Sequence, residues 1–249
     1  MSYDEKIAQY YDLLYSKKDY SAEVNYIKKA AGGLARKTIL DIGCGTGAHA
    51  ILMAKENAKS ILGVDISSRM IERSKSKKAD LSNVEFMVSD IVGVCDDNFD
   101  VITSMFNVIN HIDNLEDLIN FFKEARRRIK RPGHLIFDCW NGVATIRDLP
   151  RREVRTHYCD SGRKIVSTCV PDIDLMNSMI KLQTTIDIFH PETPAESFKF
   201  DLNHRIWSPR LLMEILNLAR FEICAINKTY LHQPCTEEDY KIIFTCKAK

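Results

Sequence analysis

The chain's densest chemistry stands in one short run, Asp41-Ile42-Gly43-Cys44-Gly45-Thr46-Gly47. Closely spaced glycines let a backbone bend sharply and bring its N–H groups against a ligand. The spacing Gly43-x-Gly45-x-x-Ala48 also fits a loose dinucleotide fingerprint. Three carboxylates bear on the choice. Asp41 sits just ahead of the glycines, where it is poorly placed beside a pyrophosphate and well placed beside a cationic amino-acid tail and a sulfonium. Asp65 suits ribose hydroxyls, and Asp90 suits an adenine amino group. Farther on stands His111; a histidine, with an ordinary pKa of about 6.5, can accept a proton at physiological pH. The tyrosines of the first 26 residues include Tyr11, Tyr15 and Tyr20, whose ring faces attract a cation.

These residues need elements to hold them. The apolar run Thr38 to Ile42 is a strand that feeds the glycines, and Ile51 to Ala54 continue as a helix. Strands follow at Ser60 to Val64, ending at Asp65, and at Val84 to Val88, ending at Ser89-Asp90. A fourth, Phe99 to Ser104, comes after Asp96-Asp97-Asn98. Ser67 is placed to cap a helix. The helix Leu115 to Lys130 leads to a strand from His134 to Phe137. Strands alternating with helices predict a parallel sheet covered on both faces, with the three acids at strand carboxyl ends, where open α/β sheets bind ligands. From Arg152 to Ile206 the pattern becomes two-residue alternation, which predicts a small antiparallel sheet inserted into the main fold. A helix, Ser208 to Ala219, and strands at Phe221 to Ile226 and Tyr240 to Cys246 complete the core. Residues 1 to 36 read as helical.

With these elements in place, the chain resembles the class I S-adenosylmethionine-dependent methyltransferases. The matching segments are Ile39 to Gly47, Gly63-Val64-Asp65-Ile66-Ser67 and Ser89-Asp90-Ile91. Tyr11 to Tyr15, Lys18-Asp19-Tyr20, Ser104 to His111, Asp138-Cys139-Trp140 and His204-Arg205-Ile206 look like the amino-sugar N,N-dimethyltransferases of deoxysugar biosynthesis. The resemblance implies a Rossmann-like α/β fold with a seven-stranded sheet, mostly parallel with one antiparallel strand, and helices on both faces. Residues 1–144 and 207–249 would form the cofactor-binding core with an N-terminal helical lid, and 145–206 an antiparallel substrate platform.

The cofactor implied is S-adenosyl-L-methionine, leaving as S-adenosyl-L-homocysteine. Its expected contacts are Tyr11, Tyr20, Asp41, Gly43, Cys44, Gly45, Asp65, Ile66, Asp90, Ile91 and Met105. Tyr15, Asn107, Trp140 and Arg205 are expected to meet the substrate, with Arg205 binding an anionic part of it or pairing with an acid. His111 falls on the family's active-site histidine and is expected to take a proton from the attacking amine. The chain departs from the family at His232 to Asp239, an acidic run where relatives carry a glycine-rich turn. An acidic loop there would disfavour a diphosphate nearby.

Composition narrows the partners. The 249 residues are 45% apolar and carry a net charge of +1, so no phosphate-neutralising surface is expected, nor nucleic acid as a partner. The basic run Arg126 to Arg131 reads as a solvated helix end. The eight cysteines, Cys159 among them, form no C-x-x-C pair, and no metal site is expected. They fit free thiols in a reducing cytosol. No apolar signal core follows Met1-Ser2-Tyr3-Asp4, and no run reaches membrane-spanning length. The expectation is a cytoplasmic enzyme, monomer or homodimer, that methylates a small-molecule amine. A small-molecule O-methyltransferase and a non-catalytic cofactor-binding subunit are the alternatives.

Overall fold

The computed structural model describes residues 5–95, 98–158, 162–190, 194–228 and 230–249. Met1 to Asp4, Asp96-Asp97 and Cys159 lie outside them. Two helices come first, α1 (Glu5–Leu14) and α2 (Tyr20–Ala30), followed by β1 (Thr38–Ile42), α3 (Ala48–Ala54), β2 (Ser60–Asp65), α4 (Ser68–Lys77), β3 (Val84–Val88) and β4 (Phe99–Ser104). A 3-10 turn, Val108–His111, separates β4 from α5 (Leu115–Arg128), β5 (Ile129–Trp140) and α6 (Gly142–Arg147). Four strands then follow in series: β6 (Glu153–Tyr158), β7 (Lys164–Asp174), β8 (Met179–Phe189) and β9 (Glu196–Arg205). The chain closes with α7 (Pro209–Leu218), β10 (Phe221–Lys228), β11 (Gln233–Pro234) and β12 (Lys241–Ala248).

The main sheet runs in the order β11-β10-β12-β5-β4-β1-β2-β3. Strands β3, β2, β1, β4 and β5 pair in parallel, while β12 is antiparallel to both its neighbours. The sheet has eight strands rather than seven, because the two-residue β11 adds to the edge of β10. Ile39 and Leu40 face opposite ways and both are fully buried, the mark of a strand covered on both faces. One core layer sets Phe122 and Phe137 with Phe244. The other sets Tyr26, Ile27 and Met53 with Ile136. Helix starts are fixed by short side chains that accept a backbone N–H: Asp19, Ser67, Asn114, Asn141 and Ser208, each satisfying a donor the first turn cannot.

Strands β6 to β9 form a separate antiparallel sheet. Helix α1 packs Ile7, Ala8 and Tyr10 between Met70 of α4 and Ile165, Ile186, Ile188 and Phe198 of that sheet. The N-terminal helix thus joins the two sheets through apolar contact.

Two local expectations need correction. Helix α5 ends at Arg128, and β5 begins at once with Ile129. Arg128 is not solvated but 0% exposed. Its guanidinium donates to the carbonyls of Val92 and Val94 and pairs with Glu124. A planar fork surrounded by fixed acceptors can be buried where a lone charge cannot.

Candidate active site

The carboxyl ends of β1, β2 and β3 open onto a cavity of about 920 Å³. The glycine loop forms its floor. Gly43, Gly45 and Gly47 all take positive φ, 69°, 54° and 81°. A methyl on Gly43 would stand 2.5 Å from Val108 Cγ2, whereas one on Gly45 would meet nothing within 4 Å. The loop is tied to α1 by the Thr46 hydroxyl, which donates to Asp12 at 2.6 Å, and Lys77 reaches the same carboxylate.

The three acids are held differently. Asp41 is 1% exposed and lies beneath the loop rather than on the cavity wall. Thr103 donates to its Oδ1, and its Oδ2 is buried without a partner. Burial raises its carboxyl above the usual range, against the opposing pull of His49 and the Thr103 bond. Asp65 lines the cavity, with one oxygen accepting from Gly45 N and the other from Ser67 N, both at 2.9 Å. Burial raises this carboxyl too, opposed by those two bonds. Asp90 is exposed at the rim and accepts from Gly93 N.

At the end of β4 the backbone is strained. Phe106 and Asn107 take φ of 70° and 63°, a region side-chain-bearing residues seldom occupy and one that clusters at functional sites. Asn107 N is fastened to buried Asp138 at 2.7 Å, and the Tyr230 hydroxyl holds the other Asp138 oxygen at 2.6 Å. The 3-10 turn that follows is clamped by Asn110. This fully buried side chain accepts from Trp140 N and donates to Arg205 O.

His111 closes that turn and lines the cavity. Its Nδ1 lies 2.9 Å from the Asn203 carbonyl of β9. A carbonyl only accepts, so Nδ1 carries the hydrogen and Nε2 keeps its lone pair. Burial lowers the His111 pKa, offset in part by the Asn203 bond and by Asp113. His204, also from β9, sits 4.5 Å from the His111 ring and stacks on Trp140 at 4.5 Å. Burial drives its pKa down to about 3, with the charge of His111 next in size.

The side of the cavity formed by the N-terminal segment is aromatic. Tyr15 packs against Tyr11 and edge-on to Phe106. Tyr20 packs edge-on to His49, whose Nε2 meets Glu23. Lys18 pairs with Glu23 and lies over the Phe106 ring at 4.6 Å.

The cavity brings together Tyr11, Tyr15, Tyr20, Gly43, Cys44, Gly45, Asp65, Ile66, Asp90, Ile91, Met105, Asn107, His111 and Trp140. It does not gather Arg205, whose guanidinium lies over Trp207 at 5.3 Å and lines a second cavity of about 290 Å³. The acidic run does not reach the large cavity either. Asp239 turns back to accept from Thr236, and Glu237 faces Arg147. Sequence reasoning passed over His49, His204, Arg155 and Lys241, which do line it. Among the described residues no cluster of His, Cys, Asp and Glu could hold a metal, and no helix is long and apolar enough to cross a membrane.

A glycine loop over strand-end carboxylates, beside the aromatic side chains of the N-terminal helices, defines an α/β domain of the class I methyltransferase type. The chain belongs to the methyltransferase domain family, which matches residues 35–207, more than half of its length. Its cofactor is S-adenosyl-L-methionine. The residues present fit that group: open space at Gly45, the Asp65 carboxylate on the wall and an unsatisfied Asp41 oxygen behind it.

The chain is similar to a protein of Geobacillus sp. (strain WCH70) named as a methyltransferase, 30% identical over 141 residues, 54% of this chain and 56% of that one. It is also similar to the ubiquinone biosynthesis O-methyltransferase of Acinetobacter baumannii (strain ACICU), 30% identical over 123 residues, 47% of this chain and 50% of that one. The chain thus spans about half the length of the curated relatives it matches. Among solved structures, an S-adenosylmethionine-dependent methyltransferase from Clostridium acetobutylicum shares the fold, with a TM-score of 0.83, 18% identity and 98% of each chain covered. CalS10, an amino pentose methyltransferase from Micromonospora echinaspora solved with its cofactor, has a TM-score of 0.75 at 14% identity, covering 100% of this chain and 98% of that one.

Proposed function

We propose that the protein transfers a methyl group from S-adenosylmethionine to the nitrogen of a small-molecule amine, such as a nucleotide-linked amino sugar. The observation that carries this reading is His111, a neutral imidazole on the cavity wall whose Nδ1–H is engaged and whose Nε2 is free to accept. An amine must be neutral to attack, so its ammonium form must first give up a proton, and a base of this kind is suited to take it. The fold is shared with CalS10, described as an amino pentose methyltransferase, which supports an amino sugar as the acceptor.

The cofactor supplies a methyl group on an electrophilic sulfonium. The chain supplies position and exclusion of water. Asp65 would hold ribose hydroxyls, Asp90 the adenine amino group, and Met105 and Ile91 would give the base an apolar slot. Tyr11 and Tyr20 would face the sulfonium with their rings. Asn107, Tyr15 and Trp140 frame the acceptor, and the sheet within residues 145–206 forms its platform. His111 Nε2 receives the amine proton while the Asn203 carbonyl stabilises the imidazolium that forms.

The test is release of S-adenosylhomocysteine with a panel of amines and matched alcohols. Turnover on amines is expected, with kcat in His111→Ala falling by about 100-fold or more and cofactor affinity retained. The active form is neutral His111 with a lowered pKa. Full kcat should therefore persist as pH falls past the ordinary histidine value, and be lost only below it. A near-normal kcat for His111→Ala at saturating acceptor would remove the base. Turnover on alcohols alone would favour the O-methyltransferase reading that the Acinetobacter relative suggests. Cofactor binding with no turnover on either would leave a non-catalytic subunit.

A further inference from the structure

The cavity wall holds a cation, Lys241, that makes no ion pair among the described residues. Lys241 begins β12, paired in register with Trp140 of β5, and lines the cavity. Its ammonium lies 5.5 Å from the centre of the Phe106 ring. Among the described residues it has no hydrogen-bond or ion-pair partner. The neighbouring acids are all committed. Asp138 accepts from Asn107 N and the Tyr230 hydroxyl. Glu23 meets Lys18 and His49. Glu153 holds the Arg155 guanidinium through both oxygens, and Asp148 holds Arg151. Arg152 stands on the same stretch of wall.

A partly buried ammonium without a counter-charge is costly to keep. Burial does lower the Lys241 pKa, with Asp138 opposing and Lys18 assisting. The cost is recovered when a ligand brings the missing negative charge. Arg152 and Arg155 line the cavity as well, Arg155 already held by Glu153.

We infer that Lys241 is a specificity-determining residue that grips an anionic group, carboxylate or phosphate, on the methyl acceptor. This deepens the proposed N-methylation, because it makes the acceptor an amine that carries its own negative charge. It also gives Lys241 the part that sequence reasoning assigned to Arg205.

The experiment measures binding by calorimetry to protein loaded with S-adenosylhomocysteine. Two probe pairs are used, glucosamine 6-phosphate against glucosamine and glycine against methylamine. In at least one pair the anionic member should bind the wild type tenfold or more tighter, a step worth about 1.4 kcal/mol. The pair that shows the gap names the source, phosphate or carboxylate. In Lys241→Met the gap should close with the neutral probe unchanged, and Lys241→Arg should keep most of it. The unchanged neutral probe shows that the variant is folded. No gap in the wild type, or a gap untouched in Lys241→Met, overturns the assignment. Charge selectivity with no methyl transfer to any amine would leave Lys241 in its role and remove the N-methylation reading instead.

Discussion

Gly43 and Gly45 share a positive φ and differ in their surroundings. A methyl on Gly43 strikes the Val108 side chain, while one on Gly45 projects into open cavity. Both variants pay the left-handed strain of about 1–2 kcal/mol. Gly43→Ala adds a steric clash. Gly45→Ala should therefore stay near that strain cost in urea unfolding yet lose cofactor affinity, whereas Gly43→Ala should lose more stability. Equal stability losses with unchanged affinity in Gly45→Ala would contradict the placement of the cofactor. These glycines and their acids were legible in the sequence because they are local, a turn and three strand ends. Lys241 and His204 were not, because strands distant in sequence bring them to the cavity; His49, on α3, is aimed by Glu23 of α2. Arg205 illustrates the opposite error. It adjoins His204, but neighbours on a strand point to opposite faces. His204 faces the large cavity, and so Arg205 faces Trp207.

At the level of elements, one side chain holds three together. Asn110 links its own turn to the end of β5 through Trp140 N and to the end of β9 through Arg205 O. Asn110→Ala would leave a buried N–H and a carbonyl unpaired, at a cost of about 2–4 kcal/mol. The loss should appear in urea unfolding and be accompanied by a lower kcat, since His111 is the next residue. Unchanged stability would show that the two groups find other partners. Most elements followed from apolar runs and caps, with β3 and β4 falling where the pattern places them. Helix α6 did not, because six residues capped by Asn141 carry too little periodicity to read. The end of α5 was overrun because Arg128 reads as a surface residue until β5 and the segment around Val92 and Val94 surround it.

Across the whole molecule, alternating strands and helices announced a parallel sheet, and the change to two-residue alternation announced a second one. The antiparallel strand came from resemblance, and the strand order only from the structure, since no local pattern encodes which strands pair. Nor did any pattern foretell that α1 would fill the space between the sheets. That packing places the tyrosines, the glycine loop and β9 around one cavity.

The central claim is that this cavity holds S-adenosylmethionine against Asp65. Calorimetric titration of S-adenosylmethionine into the wild type and into Asp65→Ala tests it most directly. One site per chain is predicted, with affinity falling by about tenfold or more in the variant while its thermal melt stays cooperative. No binding to the wild type, or equal affinity in a folded variant, would contradict it.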